Sequence, residues 1–129
     1  MSTSIIVVGA SGRMGKTISG LVEADPQYTL AGLVDSPERI AALAGAACPV
    51  ADSLAALLPK APGAVVIDFT APEVSLNSAK AVAQTGNALV IGTTGFTDAQ
   101  KDELRALAAK APIFWASNMP STDVSLMMM

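Results

Sequence analysis

The residues most able to do chemistry lie in one short run, Gly9-Ala10-Ser11-Gly12-Arg13-Met14-Gly15-Lys16-Thr17. Glycines at this density, between an apolar run and a helical pattern, let backbone N–H groups and a helix N-terminus hold phosphate oxygens. Those oxygens could belong to a nucleoside triphosphate or to the pyrophosphate of a dinucleotide, which would mean phosphoryl transfer in one case and hydride transfer in the other. A triphosphate loop needs G-x-x-x-x-G-K-[ST], and its first glycine would fall where Ala10 stands. The usual dinucleotide spacing, G-x-G-x-x-G, also meets Ala10 at its first position. What the chain carries is a wider G-x-x-G-x-x-G.

Asp35 decides between the two. It lies 20 residues beyond Gly15, at the end of a second apolar run, where a carboxylate can accept hydrogen bonds from the hydroxyls of an adenine ribose. Gly12 lets the backbone approach phosphates, and Gly15 lets the helix pack close to the preceding strand. A plain turn with Asp35 capping the next helix would leave this joint placement unexplained. The charge of Asp35 would repel a 2′-phosphate, so NAD(H) is expected to bind at least as well as NADP(H), with Arg13 or Arg39 as the cations able to compensate. Val65-Val66-Ile67-Asp68 imitates the acidic strand of a triphosphate enzyme, a pattern common in α/β proteins. Lys16 and Thr17 are then surface helix positions.

These residues need a frame. Ile5 to Val8 reads as a buried strand, followed by a helix over Gly12 to Ala24 that places Met14, Ile18, Leu21 and Val22 on one face. Tyr28 to Asp35 forms a second strand. Ser36-Pro37 offers a cap and a first-turn proline for a helix toward Leu43. A weaker strand at Pro49 to Ala51 and a short helix over Ser53 to Leu58 come next. The strand from Ala64 to Phe69 leads into Thr70-Ala71-Pro72-Glu73, whose capping-box spacing makes Thr70 the cap of a helix burying Leu76, Ala79, Val82 and Ala83. Ala88 to Ile91 is a strand and Gly92-Thr93-Thr94-Gly95 a loop. Thr97-Asp98-Ala99-Gln100 caps a helix with Leu104, Leu107, Ala108 and Ala111 on one face, and Ile113 to Ala116 closes the series. Near-continuous apolar strands separated by helices predict a doubly wound parallel α/β sheet. Its ligand crevice lies beyond the carboxyl ends of the strands.

The bulk properties agree with a small-molecule site. The chain has 129 residues, enough for one domain, with 51% hydrophobic and 15% charged residues. A net charge of -3 gives no electrostatic reason to expect nucleic acid or an anionic membrane as partner. Cys48 is the only cysteine, which precludes an internal disulfide and suits a reducing cytoplasm; it reads as structural. The apolar run Ile5 to Val8 is too short for a signal peptide, and no stretch reaches the length of a membrane span. The only tyrosine, Tyr28, is followed four residues later by Gly32, so the Tyr-x-x-x-Lys pair of short-chain dehydrogenases is missing.

Three motifs in collinear order, GASGRMGKT, VIDFTAPE (Val66 to Glu73) and VIGTTGF (Val90 to Phe96), resemble the dihydrodipicolinate reductase family. The resemblance runs from Ile5 to about Asn118 and implies a Rossmann-like cofactor domain over residues 1–119. It implies reduction of the cyclic product of dihydrodipicolinate synthase with NADH or NADPH, in the diaminopimelate route to lysine. Carried over, it assigns Gly9, Ala10, Ser11, Gly12, Arg13 and Met14 to the pyrophosphate and its ribose, and Asp35 to the adenine ribose. Gly92, Thr93 and Thr94 fall to the nicotinamide end, with Ala116-Ser117-Asn118-Met119 as a second loop there. On physical grounds the Gly-Thr-Thr-Gly turn offers backbone groups and hydroxyls enough to orient a carboxamide. Trp115 is a packing residue directly before that second loop, and Phe69 and Thr70 could lie along the cofactor.

The family continues into a second domain whose histidine-rich motif and nearby lysine the resemblance assigns to proton donation and to the substrate carboxylates. This chain has no histidine, and residues 120–129 form an atypical tail where that domain would begin. The substrate domain is therefore expected to be absent, whether by excision or natural truncation, with no catalytic residue and no metal site in this chain. Cofactor binding with little or no turnover is the expectation. The cyclic dicarboxylate substrate and homo-oligomer formation belong to the full-length enzyme. The alternative is a non-catalytic NAD(H)-sensing module.

Overall fold

Ile5, Ile6, Val7 and Val8 are all buried, because the strand they form has helices on both of its faces. The computed structural model describes residues 3–43, 45–46, 48–93 and 95–115. Along the chain come β1 (Thr3–Val8), α1 (Arg13–Ala24), β2 (Tyr28–Val34), a 3-10 turn (Ile40–Leu43), β3 (Val50–Ala51) and α2 (Leu54–Leu57) with a 3-10 continuation (Leu58–Lys60). Then follow β4 (Val65–Asp68), α3 (Pro72–Thr85), β5 (Leu89–Ile91), α4 (Asp98–Ala108) and β6 (Ile113–Trp115).

The six strands form one sheet in the order β3-β2-β1-β4-β5-β6, with every neighbouring pair parallel. This is the expected doubly wound, Rossmann-like sheet. The chain builds outward from β1 to β3, then returns to place β4 against the other side of β1, and that reversal opens a crevice between β1 and β4. Register decides what borders it. Val8 lies opposite both Val34 and Asp68, Asp68 opposite Ile91, and Ile91 opposite Trp115. Gly9, Asp35, Phe69 and Gly92 consequently leave the sheet from one row.

Alternate side chains of each strand feed two cores. Ile6, Val8, Val66, Leu89 and Ile91 pack with Leu54 and Leu57 of α2, Leu76, Ala79 and Val82 of α3 and Leu104 of α4. Ile5, Val7, Ile67 and Val90 pack with Ile18 and Val22 of α1 on the other face. Each of the Ile, Leu and Val side chains among them contributes about 1.5–3 kcal/mol by its burial. Coverage is uneven, and Phe114, opposite Val90 in register, remains 52% exposed. Cys48 is half-buried against the α1 side; burial, then the charge of Glu23, raises its thiol pKa. Among the described residues no helix is long and apolar enough to cross a membrane.

Three local expectations are corrected. The segment from Ser36 to Leu43 forms turns ending in the 3-10 turn, because it buries no side chain that would repay helix nucleation. Leu21 is 63% exposed, since α1 turns Gly15, Ile18 and Val22 inward and leaves Leu21 at the margin. Thr70 does not cap α3: Pro72 takes the first helical position, Ala71 becomes the cap residue, and the Thr70 hydroxyl donates to Asp68 instead. The capping box at α4 forms as expected, with the Gln100 amide donating to Thr97 Oγ1 and the Thr97 amide to Gln100 Oε1.

Candidate functional site

The turn between β1 and α1 is held by its own backbone. The amides of Gly9 and Ala10 both donate to the Val34 carbonyl, and the Gly12 amide donates to the Gly9 carbonyl at 3.1 Å. Gly9 needs its left-handed φ of 79°, and a methyl group there would run into the Thr70 side chain. A Cβ on Gly15 would overlap the Gly9 carbonyl and the Ala10 backbone, so α1 starts against the turn only because that residue has none. Gly12 is the cap residue and offers no side chain. The amides of Arg13, Met14 and Gly15, in the first turn of α1, have no intrahelical acceptor by geometry, and they bring the positive end of the helix to the crevice.

Asp35 meets this turn from β2. The Ser11 amide donates to its Oδ2 at 2.8 Å, the Ser11 hydroxyl donates to the same oxygen, and the Ser36 amide donates to Oδ1 at 2.8 Å. Partial burial alone would raise the pKa of the carboxyl, but these bonds and the nearby Arg39 charge outweigh it, leaving a net lowering. The carboxylate is therefore ionised near neutral pH.

A cleft of about 670 Å³ lies over these groups. Gly9, Gly12, Asp35 and Arg39 line one part of it, and Phe69, Thr70, Val74, Asn77 and Ser78 line another. Ala10 is buried beneath the turn, Arg13 is exposed, and Met14 is half-buried against the α1 core. Lys16 and Thr17 are exposed, and the Thr17 hydroxyl donates to the Arg13 carbonyl, so neither reaches the cleft. Gly92 and Thr93 lie outside the cleft lining, beyond the Phe69 ring, which fills the space that a Cβ on Gly92 would need. Thr93 is buried and points its hydroxyl inward, accepting the Thr70 amide at 3.0 Å. Thr94, Ala116, Ser117, Asn118 and Met119 lie outside the described residues. Trp115 packs against the core shared with α3 and α4.

Sequence reasoning missed the first turns of α3. Ser75 and Ser78 are buried and donate to Asp68, which has no exposed surface. Their signal was phase: they stand four residues before Ala79 and Val82, on the apolar side of the helix.

A family model described as "Dihydrodipicolinate reductase, N-terminus" matches residues 3–119. A 4-hydroxy-tetrahydrodipicolinate reductase of Desulfovibrio desulfuricans is 75% identical over 119 residues, an alignment covering 92% of this chain and 46% of that protein. The chain thus spans about half the length of the curated relatives it matches. Among solved structures, a dipicolinate-bound dihydrodipicolinate reductase from Paenisporosarcina sp. TG-14 superimposes with a TM-score of 0.77 at 27% identity, over 92% of this chain and 48% of that one. GenD2 from gentamicin A biosynthesis, solved in complex with NAD, aligns with a TM-score of 0.72 at 20% identity, over 89% of this chain and 34% of its own, a likeness of fold alone. By sequence over nearly its whole length, and by the sheet that positions its glycine turn, this chain belongs to the dihydrodipicolinate reductase family and matches that family's N-terminal part.

Proposed function

We propose that this chain is the cofactor-binding half of a 4-hydroxy-tetrahydrodipicolinate reductase, with residues 1–119 as a nicotinamide dinucleotide domain. The observation that carries the proposal is the meeting, in one cleft at the reversal of strand order, of a glycine turn at a helix N-terminus and an ionised carboxylate at the end of the next strand. The residues present fit such a cofactor. Uncapped first-turn amides suit a pyrophosphate, and a methyl group on Gly9 or Gly15 would clash with its neighbours.

In this reading Gly9 to Met14 hold the pyrophosphate and its ribose. Asp35 accepts the adenine ribose hydroxyls, and its charge favours NADH at least as strongly as NADPH, with Arg39 in the cleft as the cation that moderates the preference. Gly92, Thr93 and Thr94, together with Ala116, Ser117, Asn118 and Met119, orient the carboxamide end. The bound cofactor supplies a hydride from nicotinamide C4 to an unsaturated, imine-type ring. Proton donation and the binding of a cyclic dicarboxylate fall to residues outside this chain, which has no histidine. The tetrahydrodipicolinate formed belongs to the diaminopimelate route to lysine.

Titration of Trp115 fluorescence tests the binding claim. Saturable quenching by NADH or NADPH, with none by ATP and magnesium, is expected; a chain that binds neither dinucleotide overturns the proposal. The division of labour is tested by NADH oxidation on freshly made synthase product. Little or no turnover by these 129 residues alone is expected, and turnover equal to that of a complete family enzyme refutes the division of labour.

A further inference from the structure

The polar groups beneath the crevice converge on one carboxylate to which cofactor binding assigns no task. Asp68, the last residue of β4, is completely buried. Its Oδ1 accepts from the Thr70 amide at 3.0 Å, from the Thr70 hydroxyl and from the Ser75 hydroxyl at 3.2 Å; its Oδ2 accepts from the Ser78 hydroxyl at 2.7 Å. Among the described residues its hydrogen-bond partners are an amide and three hydroxyls, with no titratable group among them. Ser75 Oγ also lies 2.8 Å from Thr93 Oγ1, which accepts the Thr70 amide at 3.0 Å.

Ser75 Oγ thus lies within hydrogen-bonding reach of both Asp68 Oδ1 and Thr93 Oγ1, and since a hydroxyl both donates and accepts, it bridges the two. Thr70 and Ser78 line the cleft, whereas Ser75 and Thr93 do not. Ser75 is therefore the side-chain link from Asp68 to the loop after β5. A dinucleotide lies across two mononucleotide halves of such a sheet. With Asp35 at the end of β2 on the adenosine side, the loop after β5 borders the other half.

We propose that Asp68 is a positioning residue: acting through Ser75 it holds Thr93, and with it the start of the Gly92–Gly95 loop, where that loop meets the nicotinamide half of the cofactor. The inference rests on the cofactor reading above. The adenosine half makes no use of the link.

The test compares the full wild-type chain with Ser75→Ala and, as a second break in the same link that keeps the side-chain volume, Ser75→Cys. Calorimetry measures binding of NADH and of ADP-ribose, which lacks the nicotinamide. Amide hydrogen exchange at Thr93 and Gly95 is followed without ligand. Both variants should weaken NADH by about three- to tenfold, the size of one hydrogen bond, while leaving ADP-ribose within about twofold. Exchange at Thr93 should speed up by a similar factor in both, with exchange in α4 unchanged. Equal losses for the two ligands, or unchanged NADH affinity and unchanged Thr93 exchange, overturn the inference. A wild-type chain that binds neither ligand overturns the cofactor reading and the nicotinamide clause with it, while the exchange comparison still decides whether Ser75 holds Thr93.

Discussion

Ser11 donates two hydrogen bonds, from its amide and its hydroxyl, to a single oxygen of Asp35. The tip of the glycine turn is thereby tied to the end of β2, so the surface proposed for pyrophosphate and the carboxylate proposed for ribose keep a fixed separation. A ligand meets these two groups already arranged, which lowers the ordering cost of binding.

Asp35→Ala should weaken NADH by about tenfold to a hundredfold, the range for hydrogen bonds to a charged group. NADPH should lose less, because the substitution also removes a charge that opposes the 2′-phosphate. Dissociation constants for both cofactors, measured on both proteins, check this. An unchanged NADH to NADPH ratio would remove Asp35 from the ribose site.

Two glycines of α1 should respond in opposite ways to alanine. Gly15→Ala drives a methyl into the Gly9 carbonyl and should destabilise the fold by about 1–3 kcal/mol, with loss of cofactor binding. At Gly20 an added Cβ meets nothing within 4 Å, and Gly20→Ala should stabilise by up to about 1 kcal/mol. Urea unfolding of the two variants beside the wild type measures both signs.

The two carboxylates should tilt the pH profile of stability in opposite directions. Burial is the largest influence on Asp68 and raises its folded pKa above the ordinary 3.8, despite four hydrogen bonds that oppose the shift. The folded state then binds the proton more tightly than the unfolded chain, so this contribution falls as pH rises from about 3.8 through the raised value. For Asp35 burial also acts upward, but the Ser11 and Ser36 bonds prevail and the pKa lies below 3.8. Its contribution is present above 3.8 and is lost as pH falls through the lowered value. In urea titrations across acid pH, Asp68→Asn should remove the first slope and Asp35→Asn the second. A wild-type profile unaltered by Asp68→Asn would contradict the assigned direction.

The parallel sheet was legible because the strand runs are apolar without alternation, as in Ile5 to Val8, and only a strand covered on both faces needs that. The α4 capping box was legible because Thr97 and Gln100 satisfy each other within four residues. Ser36-Pro37 carried the same kind of local signal and misled, since whether a helix follows depends on what it can bury, and the segment to Leu43 buries no side chain fully, Leu43 only in part. Thr70 misled for a related reason: its hydroxyl had two uses, and the buried Asp68 carboxyl outcompeted the helix end. Ser75 and Ser78 escaped notice because serine usually faces water, and only a carboxylate hidden in the sheet explains their burial.

Strand order also has a kinetic side. β1 and β2 meet across a single helix, and β4, β5 and β6 follow one another with one helix between each pair, so each half of the sheet can assemble from near neighbours. The seam between β1 and β4 joins residues far apart in the chain, and closing such a loop is the slow, entropically expensive part of building this topology. Val8 and Asp68 face each other across that seam, directly under the crevice. The pairing with the largest separation along the chain is thus the one that borders the cleft, and a ligand seated there clasps the joint whose closure costs the most chain entropy.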